Sequence, residues 1–402
     1  MYKDLKVLHL FDLYLPNTMN WAYHLVRATP ETEPWAAATW MVRNKYFVPD
    51  IRLFVRPLQR CIGWLPATEW RHAWWVNKLL RAEHRWPVYR IWLLWQLKQD
   101  PPDVLHAHFG PMGYHYMPLA QRLGIPLVVS FYGYDYESLT TRKPAWKTRY
   151  RALFQAAAAV LCLGPHGREV LIRQGCPPEK ITIVPMSILP GAFPWMNRTK
   201  EPGQLKLVQV ATIKEKKGYL YTLQALRTAL DRCPHIRLTI AGERHDTELV
   251  RQMQAYIETH ALEKHIRWLD FLPPDELPAF FGAFDVFIHP SCYTADRDSE
   301  GAPAVILEAQ ASGLPVVSTT HADIPSEVLD GRTGLLAPER DPEAIALLIE
   351  RFYWMENDEY QQFSRNARQH VEQYFDVGEN AVGLRELYGG LGFGILRLPD
   401  VE

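Results

Sequence analysis

The strongest constraint on the fold is a rhythm that runs almost the length of the chain, in which short β-rich runs alternate with helical patterns. In the first half the runs are KVLHLF, DVLHAHF, PLVVSFY, AVLCLG and ITIVPM, each ending in a loop or a helix start. Pro165, for instance, opens PHGREVLIRQG, and Gly175 supplies its C-terminal stop. Strands alternating with helices predict an α/β chain with parallel sheets, because a parallel pair needs a crossover that a helix provides. At 402 residues the chain exceeds one ordinary core, so two domains are expected.

The rhythm breaks near Pro190. PGAFPWMNRTKEPGQ has neither period and holds three prolines and two glycines in fifteen residues. It reads as a linker over 190–205, between an N-terminal domain over 1–190 and a second domain over 206–375. Residues 376–402 read as a C-terminal helix and tail that crosses back to the first domain. The alternation restarts with KLVQVA, TIKEKKG, YLYTLQALRTAL and IRLTIAG, and continues through HDTELVRQMQAYIETHAL, IRWLDFL, DELPAFFGAF and DVFIHP. After PVVST comes DGRTGLLAP, read as turn-rich, and then helices to about Tyr388. The predicted architecture is two doubly wound, Rossmann-like domains facing each other across a cleft, with ligands outside the carboxyl ends of the strands.

A formal net charge of -1 excludes a chain that is basic as a whole, and no nucleic-acid partner is expected. Five scattered cysteines without a C-x-x-C spacing suggest neither a disulfide framework nor a zinc site and fit a reducing, cytoplasmic compartment. The N-terminus lacks a signal-peptide pattern, and no apolar run is long enough to span a membrane. Residues 51–99 stand apart: nine arginines and lysines face two glutamates, and seven of the fourteen tryptophans lie there. Basic residues interleaved with tryptophan on helical stretches suit peripheral contact with an anionic membrane. A helical insertion with its tryptophans turned into the core is a second reading, and an aromatic, basic surface for nucleic acid a third, less favoured one.

The chemistry concentrates in SEGAPAVILEAQASGLPVV, residues 299–317. Glu300 follows DVFIHP by a loop and hangs over the strand ends, Pro303 suits the first helical position, and Glu308 lies more than a turn inside the helix. The N–H groups of Ala302, Ala304 and Val305 point out of the helix start with the positive end of its dipole, a place for a phosphate. Carboxylates accept bonds from paired sugar hydroxyls, so an acid on either side of an anion site suits a sugar nucleotide. Lys217, directly before Gly218, adds the cation a diphosphate needs, while Lys214 and Lys216 read as solvated. His106 and His108 alternate on one strand and so share a face. His108, at the strand's carboxyl end, is the candidate cleft contact, unless it is a histidine satisfied by neighbouring backbone; His289 reads as structural.

With those residues in view, the run from Leu207 to Ala337 resembles the retaining, nucleotide-sugar-dependent glycosyltransferases of family 4, which have the GT-B fold. The likeness rests on VATIKEKKGYLYTLQAL, LTIAGE, FLPPDELPAFFGAFDVFIHPS, EGAPAVILEAQASGLPVVST and IPSEVLDGRTGLLAP in order, with the E-x7-E pair the most specific. HAHFG (His106 to Gly110) and SFYGYD (Ser130 to Asp135) look like first-domain motifs of members that build exopolysaccharides and similar cell-surface glycans.

The resemblance implies that Glu300 contacts the donor sugar and that Gly301, Ala302, Pro303 and Ala304 meet the sugar and distal phosphate. Glu308 would hold the ribose, and Lys217 would neutralise the departing diphosphate. The catalytic set is then Glu300, Lys217 and His108, and the acceptor side is His106, His108, Tyr132, Gly133 and Asp135. It implies transfer of a hexose-type sugar from a nucleoside diphosphate to a glycan or lipid-linked glycan, with no metal or other cofactor and with front-side attack. Two positions depart from the pattern. Thr212 stands where the family has an arginine, leaving Arg244 or the Thr212 hydroxyl to replace it, and Tyr132 stands where many members have a histidine. The first strand also runs into DLYLPNTMNWAYHL instead of a glycine-rich loop. These departures keep two alternatives open: a non-catalytic sugar-nucleotide-binding subunit, and a GT-B nucleotide-sugar epimerase, against which the E-x7-E layout argues.

Overall fold

The computed structural model describes residues 4–14, 19–41, 50–54 and 87–391. The first half forms a parallel sheet of order β3-β2-β1-β4-β5-β6-β7. Its strands are β1 (Leu5–Tyr14), β2 (Thr32–Met41), β3 (Arg52–Phe54), β4 (Val104–His108), β5 (Leu127–Ser130), β6 (Ala159–Cys162) and β7 (Ile181–Ile183). Its helices are α1 (Asn20–Ala28), α2 (Pro87–Gln99), α3 (Gly110–Leu123), α4 (Ser138–Arg142), α5 (Ala145–Ala156) and α6 (Pro165–Arg173).

The second half repeats the plan with order β10-β9-β8-β11-β12-β13. The strands are β8 (Leu205–Val210), β9 (Ile236–Ala241), β10 (Ile266–Leu269), β11 (Val286–His289), β12 (Val316–Thr319) and β13 (Gly334–Ala337). With them run α7 (Tyr219–Ala229), α8 (Thr247–Thr259), α9 (Leu277–Phe281), α10 (Ala304–Ala311), α11 (Ile324–Glu327), α12 (Pro342–Trp354), α13 (Asn357–Tyr374) and α14 (Val377–Gly389). Every residue of β4, β5, β6, β11 and β12 is buried. Helices cover both faces of such sheets, which is why these strands read as unbroken apolar runs.

Three strands lie outside the predicted set. β2, TEPWAAATWM, carries Pro34 and three alanines, which are weak strand formers. It becomes a strand because β1 and β3 pair with it on either side, burying Trp35, Ala36, Ala37 and Ala38. β3 is three residues long, and β13 falls within the stretch read as turn-rich.

The segment around Pro190 is fastened to the second domain. Buried Arg198 donates to the carbonyls of Ser312 at 2.8 Å, Phe284 at 2.9 Å and Phe281 at 3.2 Å, and Lys200 Nζ donates to Tyr353 O at 2.9 Å. The chain crosses between the domains a second time at Asp376, beside the first crossing. Ile188 N donates to Phe375 O at 3.0 Å and Val377 N to Ile188 O at 2.9 Å. Helix α14 then packs its Ala381, Leu384 and Leu387 against Val7, Leu25, Val104 and Val128 of the first domain.

No helix among the described residues is long and apolar enough to cross a membrane. Most of the basic, tryptophan-rich stretch lies outside the described residues. Its described end, α2, buries Leu93 and Leu97 and exposes Ile91 and Trp95.

Candidate active site

In both sheets the strand order reverses at one point, between β1 and β4 and between β8 and β11, and ligands of such sheets sit at that crevice. Gly218, at φ 70°, ends the loop after β8. A Cβ there would lie 1.9 Å from Pro290 O, so only glycine lets this loop pass against the one after β11. That close approach sets Lys217 against Glu300, and the Lys217 ammonium bonds Glu300 Oε2. Lys216, read from the sequence as solvated, joins them instead. Its Nζ lies 3.0 Å from Glu300 Oε1 and 3.1 Å from Asp298 Oδ1.

Burial acts to raise the Glu300 carboxyl, but the Lys217 and Lys216 ammonium groups outweigh it and hold the acid well below the usual carboxylate range. Burial lowers Lys217 despite the Glu300 charge, whereas for Lys216 the Glu300 and Asp298 charges overcome burial and raise it. Glu300 is therefore a carboxylate, gripped by two cations. Behind it, Glu300 N donates to His321 Nε2 at 3.2 Å, and His321 Nδ1 bonds Glu339 at 2.7 Å. His289 and Glu327 are buried with their side-chain polar atoms unpartnered. Burial, with the Lys217 charge, pushes His289 down to about 3, so it is neutral at pH 7, and burial pushes Glu327 well above the usual carboxylate range.

Helix α10 begins one residue later than the sequence predicts. Pro303 is its extended N-cap, at φ -75° and ψ 106°, because the chain must first clear the first domain at Gly301. Glu308 lies inside α10, buried, and its Oε1 accepts from Asn20 Nδ2 at 3.3 Å. Burial raises its carboxyl to about 7, with the Asn20 bond pulling the other way. Asn20 opens α1 in the other domain, and the sequence carries no signal for it.

On the side expected to meet the acceptor, Tyr132 stands in front of the histidines. His108 Nδ1 bonds the Tyr132 hydroxyl at 2.7 Å, and its Nε2 lies 3.1 Å from His9 Nδ1. His108 is fully buried and stacked on Phe11 at 4.2 Å, so it does not reach the cleft. This corrects the expectation that His108 meets the acceptor: the shared strand face is real, but the Tyr132 ring covers its outer end. His106 is held by Tyr388 Oη at 2.6 Å and Ser130 Oγ at 2.7 Å. Burial pushes both histidines far down, so neither exchanges a proton near neutral pH.

Among the described residues, His9, His106 and His108 are the one group close enough to share a metal ion. His106 stacks on His108 at 4.4 Å and 23°, and their ring nitrogens are bonded to Tyr388, Ser130, Tyr132 and His9. Asp135 is likewise a brace, since its carboxylate accepts from Gly110 N at 2.9 Å and Tyr132 N at 3.0 Å and is wholly buried. Burial raises it to about 6 against those bonds. Gly133, at φ 112°, closes the turn that Asp135 holds.

Residues 195–370 match the family described as glycosyl transferases group 1, and residues 22–186 match the glycosyl transferase 4-like domain. The colanic acid biosynthesis glycosyltransferase WcaL of Salmonella typhimurium is 33% identical over 278 residues, 68% of this chain and 67% of that protein. The chain belongs to the group 1 glycosyl transferases. The amylovoran biosynthesis glycosyltransferase AmsK of Erwinia amylovora is 34% identical over 262 residues, 64% of this chain and 62% of that one. The crystal structure of HepE from Anabaena in complex with UDP-glucose has the same GT-B fold, with TM-score 0.69 and 16% identity, covering 96% of this chain and 100% of that one.

The two domains of this glycosyl transferase meet backbone to backbone at the site. A Cβ on Gly301 would lie 2.6 Å from Tyr132 O, and one on Gly133 would lie 3.0 Å from Gly301 N. Asp323, beside α11, caps α6 of the opposite domain by accepting from His166 N at 2.8 Å and Gly167 N at 3.3 Å. Two expected donor contacts, Arg244 and Thr212, are not among the described partners of Lys216, Lys217 and Glu300. Arg244 pairs with Asp270 at 3.2 Å and lies over the Trp268 ring, and Thr212 sits half-buried in the loop after β8. Lys216, and not Arg244, is the second cation that stands at Glu300.

Proposed function

We propose that this glycosyl transferase moves a hexose-type sugar from a nucleoside diphosphate to a glycan or lipid-linked glycan in cell-surface polysaccharide synthesis, retaining the anomeric configuration and using no metal. The observation that carries the reading is the joint placement of Lys216, Lys217 and Glu300 at the switch point, with the α10 start and Glu308 beyond them. The named roles of WcaL and AmsK in colanic acid and amylovoran biosynthesis support it, as does UDP-glucose in the HepE complex. A cytoplasmic enzyme touching the membrane through residues 51–99 fits the same reading.

In this reading the donor diphosphate draws Lys217 away from Glu300, which frees that carboxylate to accept bonds from sugar hydroxyls. The two lysines and the α10 start neutralise the charge that develops on the departing phosphate, the work an ion would otherwise do. The acceptor hydroxyl forms its bond to the anomeric carbon on the face the phosphate leaves, the carbon–phosphate oxygen bond breaks, and the hydroxyl proton passes to that phosphate oxygen. Glu300, locked in its ionised form, serves as a grip. The test is a thermal-shift panel of UDP-, GDP- and ADP-sugars, followed by transfer in EDTA with the anomer read by NMR. One donor class should raise the melting temperature, since only a ligand of the folded state does so. Inversion at the anomeric carbon, or loss of turnover in EDTA, would remove that part of the proposal.

Glu308 supplies a pH signature. Ribose hydroxyls donate, so they favour its ionised form, and binding must expel the proton it carries below about 7. Nucleotide affinity should therefore rise about tenfold per unit as the pH climbs toward 7 and then level off. Glu308→Gln should abolish the slope. Calorimetry in buffers of different ionisation enthalpy counts the released proton, and a flat wild-type profile would count against Glu308 as the ribose grip.

A further inference from the structure

A cavity of about 420 Å³ opens in the first domain, apart from the lysine pair that faces the donor. Lys147 and Arg151 line it from one face of α5, Arg173 from the last turn of α6, and Arg297 from the loop of the opposite domain that leads to Glu300. The one carboxylate among the lining residues is Glu137, and it is already engaged. It accepts from Arg297 at 3.0 Å and the Tyr293 hydroxyl at 3.1 Å, and it bonds His166 Nε2 at 3.0 Å. Arg173 has only its exposed neighbour Glu169, at 3.4 Å. Lys147 and Arg151 lie within 4 Å of no carboxylate among the described residues.

Like charges one helical turn apart repel, and Lys147 and Arg151 line the cavity uncompensated, beside Arg173 and Arg297, which each hold one carboxylate. An oxyanion entering the cavity would remove that repulsion, and the guanidinium forks of Arg151, Arg173 and Arg297 match the oxygens of a phosphate or carboxylate. The donor diphosphate is accounted for at Lys217, so a second anion belongs to the other substrate. Resting on the transferase reading above, we propose that this cavity holds an acidic group of the acceptor, either the phosphate of a lipid-linked glycan or the carboxylate of a uronic acid. Arg297 belongs to the loop that carries Glu300, which links the cavity to the donor loop along the chain.

The probes are inorganic diphosphate and glucuronate, titrated calorimetrically into the full chain carrying Lys217→Ala, which weakens the donor end. Diphosphate should bind, and adding Lys147→Glu with Arg151→Glu should weaken it by at least about tenfold, with the loss shrinking in high salt. Both residues are exposed, so the fold should survive, and sugar-nucleotide binding by the double variant with Lys217 restored should match the wild type. Competition by glucuronate assigns the uronic acid; diphosphate binding that glucuronate leaves untouched assigns the lipid phosphate. Diphosphate binding indifferent to the two reversals, or no binding, overturns the site. Sugar-nucleotide binding by the unaltered chain is read separately, and its failure would remove the transferase reading while the diphosphate result stands.

Discussion

Lys217→Ala is expected to lower the transfer rate by about 10²- to 10³-fold, the usual consequence of removing one preorganised group that stabilises charge in a transition state. The fold should remain, because Glu300 keeps Lys216 at 3.0 Å and is not left as an unpaired buried charge. Glu300→Gln removes the carboxylate from the other side and should lose activity on a similar scale, while leaving two ammonium groups facing each other. Since the residues share one ion-paired cluster, the double variant should lose far less than the sum of the single losses. Turnover numbers and melting temperatures of the three variants decide the matter. Wild-type activity in Lys217→Ala would remove the site assignment.

The second large effect is expected from Gly301→Ala. Its new Cβ would lie 2.6 Å from Tyr132 O, backbone of one domain against backbone of the other, with no flexible side chain to give way. The domains would have to part at the site. Each sheet keeps its own core, so stability should fall little, but the donor loop would lose its register with Tyr132. A misplacement of about 1 Å can cost 10²-fold in rate, and a loss of about that size in kcat/KM is the expected result. Solution scattering should show a larger radius of gyration. If Gly301→Ala turns over at the wild-type rate, the closed arrangement is not the one that reacts.

Much of this protein is legible in one dimension. The alternation of apolar runs and helical patterns gives two parallel sheets, because strands buried on both faces must be apolar throughout and parallel neighbours need helical crossovers. The spacing of Glu300, Pro303 and Glu308, with Lys217 before Gly218, likewise points to a donor site, since loop, helix start and strand end are local features. β2 escapes detection because its alanines and Pro34 are weak strand formers, and only pairing with β1 and β3 makes it a strand.

Tertiary structure decides what long-range approach decides. Lys216 is drawn to Glu300 by the passage of one loop against another at Gly218, so its charge is paired although its sequence surroundings look solvated. Asn20 reaches Glu308 from 288 residues away, across the domain seam. His108 has the strand position of a cleft residue, yet the Tyr132 hydroxyl caps it and burial strips it of its proton. The chain's local pattern determines which elements form and which carry chemistry. Which side chains meet, and which are charged when they do, depends on distance and burial, and those exist only once the two domains have closed on each other.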